Sequence, residues 1–159
     1  MGCSASKEYP PLVTVENCES NKLMGTWFVI GVKPTVFETT CSNAVETYTR
    51  KYDHDYDVDI DFKYNKNEPI TSPLKSVPQR GWFQGPDKEN TGNWKVSPFA
   101  CIRMPYPIIE VDNVNYNWIV VGHEGRDYVW IMARTPSMDE SLYESLKPRK
   151  IPVFDKWHT

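Results

Sequence analysis

A chain of 159 residues, 40% of them hydrophobic, is large enough for one domain with a real core and too small for two ordinary ones. Its formal charge of −3 offers no basic face for nucleic acid, and no stretch approaches the roughly 20 apolar residues that a membrane-spanning helix needs. Nine Tyr, six Trp and six Phe stand beside few Leu, and aromatic and β-branched residues fit strands better than helices.

The N-terminal run MGCSASK has no apolar segment of the kind a secretory signal carries. Gly2 with Ser6 matches the N-myristoylation pattern, and Cys3 places a thiol where a first acyl chain would bring it to a membrane. The two signals complement each other, because one myristoyl chain binds with an association constant of only about 10⁴ M⁻¹ and a second makes anchoring stable. In a eukaryotic source this predicts an acylated anchor and spacer over residues 1–20, with Pro10-Pro11 in the spacer, and one domain over 21–159. The expected location is the cytoplasmic face of a cellular membrane, the plasma membrane first. Cys18, Cys41 and Cys101 should then remain thiols. No two cysteines are spaced as CxxC, so neither a zinc site nor any other cofactor is expected.

Eight strands follow in order. The first covers Thr26 to Lys33 and stops at Pro34, and Phe37 stands in the loop beyond. Asn43 to Tyr52 is the second. In the third, Tyr56, Val58, Ile60, Phe62 and Tyr64 alternate with Asp55, Asp57, Asp59, Asp61 and Lys63, which gives one apolar and one charged face. The acidic face reads as a solvated wall, since a straight strand does not wrap several oxygens around a calcium ion. Residues 65–74 read as loop or irregular edge, Gly81 to Gln84 as the core of a short fourth strand, and Trp94 to Met104 as the fifth. Pro98 cannot supply a ladder hydrogen bond and marks a bulge or an edge. Tyr106 to Val111 and Tyr116 to Val121 pair as a hairpin, and Asp127 to Arg134 closes the set. One helix follows, with Met138, Leu142, Tyr143 and Leu146 on a shared face, Ser137 as its cap and Pro148 as its end.

The run GTWFVIGVK from Gly25 and the run RDYVWIMARTP from Arg126 together resemble the lipocalin family, in its subgroup of bacterial lipocalins, plant temperature-induced lipocalins and apolipoprotein D. The resemblance covers residues 20–147 and implies an all-β fold: an eight-stranded antiparallel up-and-down barrel with one C-terminal helix packed outside. It implies that Trp27, after Gly25, plugs the closed end with Arg134 over its ring. Asp112 stands where the family's middle signature has its aspartate, but Val111 and Asn113 replace the usual Thr and Tyr, which leaves the local hydrogen bonds open. The subgroup's bridge from the second-strand region to the C-terminus cannot form, because no cysteine follows Cys101.

Eight strands enclose room for one small ligand. The residues expected to touch it are Phe37, Tyr56, Val58, Ile60, Phe62, Trp82, Ile109, Trp118 and Trp130, and one register error would turn a strand's set outward. The resemblance and the anchor together imply reversible capture of a membrane-derived lipid, a fatty acid or lysophospholipid first. An interaction adaptor with a vestigial cavity is the main alternative, and a lipid isomerase the second. His54, His123 and His158 show no catalytic motif, so no enzyme is expected.

Overall fold

The computed structural model describes residues 12–33, 41–66, 73–99, 101–125 and 129–147. A 3-10 helix over Ser20–Leu23 leads into eight strands: β1 (Gly25–Lys33), β2 (Cys41–Arg50), β3 (Val58–Lys66), β4 (Leu74–Phe83), β5 (Asn93–Phe99), β6 (Ile102–Val111), β7 (Trp118–Gly122) and β8 (Val129–Ala133). Each pairs antiparallel with the next, and β1 pairs with β8, so the sheet closes on itself. Closure removes both free edges of the sheet. One helix, α1 (Glu140–Leu146), follows.

The alternation in β3 is realised: Tyr56, Val58, Ile60, Phe62 and Tyr64 are buried. Its acidic face is paired with cations on the outer wall. Asp57 meets Arg50 and Lys88, Asp59 meets Lys51, and Asp61 meets Lys63. Two boundaries differ from expectation. β4 runs back to Leu74 rather than beginning near Gly81, because its open-end half is too polar and exposed to show an apolar period. The expected fifth strand, Trp94 to Met104, is divided between two strands, β5 and β6, with the break before Ile102. Pro98 does mark a bulge, since the β5–β6 register shifts between Val96 and Phe99.

The helix cap is Asp139, not Ser137. Its Oδ1 accepts from the Ser141 and Leu142 N–H groups at 3.0 and 3.2 Å, as an N-cap carboxylate does. The helix covers the outer face of β1, β7 and β8, where Val120, Val129, Ile131, Tyr143 and Leu146 form a second core. Gly31 makes this docking possible: a Cβ there would stand 2.6 Å from Tyr143 Cε2. Under the helix the barrel therefore has apolar side chains on both of its faces.

Candidate functional site: the barrel interior

One end of the barrel is sealed. The Trp27 indole N–H donates to the Leu23 carbonyl at 2.8 Å, and the Arg134 guanidinium lies 3.6 Å above the indole ring. Arg134 also donates to the carbonyls of Lys22 and Met24 at 2.8 Å, Thr26 at 3.0 Å and Tyr116 at 3.3 Å. One side chain thus ties the 3-10 helix, β1 and the turn before β7 together. Gly25 has φ of +98°, and a Cβ there would meet Arg134 Nη1 at 3.2 Å, so glycine answers both the backbone and the space.

Asp112 supplies the bonds that the missing signature residues left open. Its carboxylate accepts from the N–H groups of Val114, Asn115 and Asn117, each at 3.2 Å. Burial pulls its pKa upward, but these backbone donors outweigh it and hold the carboxyl below the usual range. Tyr116 takes the left-handed backbone at φ 54°, and its hydroxyl accepts from the Glu19 N–H at 3.0 Å. These residues build the plug.

Above the plug, rings line the interior. Phe83 and Trp94 lie 4.5 Å apart between centroids, Trp94 and Tyr48 5.7 Å, Phe62 and Trp130 5.8 Å, and Trp130 and Tyr106 6.3 Å. Tyr64 stacks on Phe62 at 5.2 Å toward the opposite rim. A carboxylate sits among them. Glu46 is 1% exposed and lies beside Trp27 on one strand and Phe62 on the other. Its Oε2 accepts from the Tyr48 hydroxyl at 2.6 Å and the Tyr106 hydroxyl at 2.8 Å, and the two hydroxyls are 2.7 Å apart. Burial first, and the Glu46 charge next, push both tyrosines well above their usual pKa, so both stay protonated. A buried carboxylate is tolerated only when hydrogen bonds replace its water, and this pair provides them.

The expected wall residues divide. Val58, Ile60, Phe62 and Trp130 face the interior, the first two packed into the core above the plug and the latter pair stacked higher up. Tyr56 precedes β3 and is buried against Arg80 and His54 rather than in the barrel lumen. Trp82 lies on the outer face of β4, under the Arg103 guanidinium. Ile109 and Trp118 also face outward and pack into the core beneath α1. A register shift between Ile108 and Glu110 sends Ile108 in and Ile109 out. Phe37, Gly2 and Cys3 lie outside the described residues. Glu46, Tyr48 and Tyr106 were not anticipated. The signal was present, because an inward Tyr48 requires an inward Glu46 at period two.

Comparison with known proteins agrees with this architecture. A family model described as a lipocalin-like domain matches residues 18–150. The outer membrane lipoprotein Blc of Citrobacter freundii is 25% identical over 146 residues, covering 92% of this chain and 78% of the relative. Temperature-induced lipocalin-1 of Arabidopsis thaliana is 23% identical over 154 residues, covering 91% and 77%. The structure of insecticyanin from the tobacco hornworm Manduca sexta superposes with a TM-score of 0.68 at 13% identity, covering 94% of this chain and 84% of that one, which speaks for the fold. The bacterial relatives overturn the expected location on the cytoplasmic face: they carry the name outer membrane lipoprotein. That expectation rested on seven terminal residues alone, and nothing in the barrel carries it. With residues 18–150 matched and a closed barrel able to bind a small hydrophobic ligand, the chain belongs to the lipocalin family, whose members are typically non-catalytic transport proteins.

Proposed function

We propose that the barrel reversibly captures a single-chain lipid, a fatty acid or lysophospholipid, and works while tethered to a membrane by acyl chains on Gly2 and Cys3. The observation that carries the reading is the contrast inside the barrel: a ring-lined wall interrupted by one buried polar cluster, Glu46–Tyr48–Tyr106. An alkyl chain gains about 0.8 kcal/mol for each methylene buried, and the rings of Phe62 and Trp130 supply the surface. The buried polar cluster is already hydrogen-bonded within itself and offers a head group no free partner at that depth, so the tail enters first and the head stays at the rim. Names of the relatives support the membrane half of the proposal, since those in bacteria are lipoproteins.

The test is a titration of delipidated protein with oleate and with lysophosphatidylcholine, followed by calorimetry. One-to-one saturable binding that weakens about tenfold in Phe62→Ala, a loss of roughly 1.4 kcal/mol, supports capture. Absence of saturation with both lipids removes the carrier reading and favours an adaptor. The tether is tested separately by intact mass of protein from its own cells, where an unmodified Gly2 and Cys3 would remove it.

A further inference from the structure

Trp82 lies outside the barrel, yet it is not idle surface. It forms one side of a groove of about 690 Å³ on the outer wall of β4, β5 and β6, shared with Tyr56, Arg80, Ser97, Cys101 and Arg103. The volume falls within the range of small-molecule sites. We propose that this groove binds the phosphate or carboxylate group of a small anionic molecule, held between the guanidinium groups of Arg80 and Arg103.

Three features of the groove support this. First, both guanidiniums are held flat on rings: Arg80 lies 4.7 Å from the Tyr56 centroid and Arg103 lies 3.8 Å from that of Trp82. The Trp82 ring is itself fixed, because its indole N–H donates to the Asp55 carbonyl at 2.8 Å. Stacking occupies the faces of the guanidiniums and leaves their N–H edges to bind, with less side-chain entropy left to lose.

Second, the arginines share one row of the sheet. Arg80 is opposite Ser97 on β5, and Arg103 precedes Met104, which is opposite Val96. Two strand spacings separate them, about 10 Å between backbones, and two long side chains can converge on one anion across that distance.

Third, neither arginine is committed to an ion pair. Among the described residues neither arginine has a carboxylate within ion-pair distance. Asp59, the cross-strand partner of Arg80, is engaged instead by Lys51 at 3.0 Å, and Asp55, also in the groove, pairs with neither arginine. Like charges held in one cleft favour an anion between them, and the fork of arginine N–H donors matches the oxygen spacing of carboxylate and phosphate. The ring walls add an apolar contact for whatever carries the anionic group.

The experiment uses the full chain with ¹⁵N-labelled arginine and follows the side-chain Nε–H signals of Arg80 and Arg103. Three probes are titrated: inorganic phosphate, hexyl phosphate, and phosphatidylcholine vesicles containing phosphatidic acid. Saturable shifts of both signals are expected, with affinity falling about tenfold or more in Arg80→Gln and Arg103→Gln, as for loss of a charge-assisted bidentate pair. Arg103→Lys should weaken binding too, because it keeps the charge and loses the fork. Saturation by inorganic phosphate identifies a free anion as sufficient. A clear preference for hexyl phosphate identifies a soluble amphiphile, and response to vesicles alone identifies a lipid head group. Loading of the barrel interior should be unchanged in these variants, which separates the groove from the lumen. No saturation with any probe, or equal affinity in the parent and both glutamine variants, overturns the proposal.

Discussion

Arg134→Met keeps the length of the side chain and removes the guanidinium, so it isolates what that group does at the closed end. Four carbonyl oxygens, those of Lys22, Met24, Thr26 and Tyr116, lose their donor, and the Trp27 ring loses its cation at 3.6 Å. Hydrogen bonds to charged groups are worth about 1.5–3 kcal/mol each when fully buried. Here the site is only half-buried and water can reach the abandoned oxygens, so a value near 0.5–1 kcal/mol for each is appropriate. The ring contact adds about 1 kcal/mol. The expected loss is about 3–5 kcal/mol, at the upper end of what single substitutions cost, or roughly 10 °C in Tm for a domain of this size. Urea unfolding followed by circular dichroism measures it. A cycle with Trp27→Leu then separates the ring contact, with an expected coupling of about 1 kcal/mol. A loss below about 1 kcal/mol would refute the view that Arg134 holds the plug, the first strand and the last turn together.

Three further perturbations probe other parts of the fold. Gly31→Val should cost about 1–3 kcal/mol by driving the Tyr143 ring off the wall, and Tyr143→Ala in the same chain should recover part of it; an unchanged unfolding midpoint would contradict the packing. The raised pKa values of Tyr48 and Tyr106 mean that folding favours the neutral hydroxyl. That contribution is fully present below the unfolded tyrosine value near 10 and is lost as pH rises through the higher folded values. Urea unfolding between about pH 8 and 11 should therefore show declining stability at the alkaline end, with a shallower decline in Tyr106→Phe; identical slopes would count against the cluster. Burial, with the charge of Glu19 second, pushes the Cys18 thiol up to about 12. Alkylation of the native protein near neutral pH should label exposed Cys101 and spare Cys18 until unfolding, whereas equal labelling rates would show that Cys18 is accessible.

How much of this was legible in the chain depends on how many faces of a strand are apolar. β3 faces water on one side, so its alternation assigned every residue from Val58 to Tyr64 to a side; Tyr56, before the strand begins, escaped it. β7 and β8 are apolar on both sides because α1 covers the outer one, and period two vanishes there. Trp118 looked like an interior residue for that reason. Ile109 was lost to a bulge, which shifts the register by one and reverses the face. Trp82 was misplaced by size: the inward positions of β4 are Phe83 and position 81, which has to be glycine because a Cβ there would lie 2.6 Å from Val58 Cγ1. The closed end was the most legible part, since Gly25, Trp27 and Arg134 meet through geometry that few other residues satisfy.

Glu46 was hidden by the opposite logic. A glutamate is almost never fully buried unless paired, and the run from Val45 to Arg50 is polar enough to read as a wholly solvated strand. Only the two tyrosines that partner it make its position tolerable, and one of them, Tyr106, lies on β6, far away in sequence. Pairing across the lumen is information that no local period contains. It also gives the cluster a consequence beyond stability. Breaking a satisfied buried carboxylate cluster is costly, so a ligand gains little by displacing either hydroxyl and more by packing against the rings above. The cluster then acts as a floor, polar but already satisfied, that sets how deep an alkyl tail can pass. If that is right, Tyr48→Phe with Tyr106→Phe and Glu46→Leu together should leave an apolar floor and lengthen the preferred acyl chain. A chain-length series of fatty acids with unchanged preference in that triple variant would show that the floor is set elsewhere.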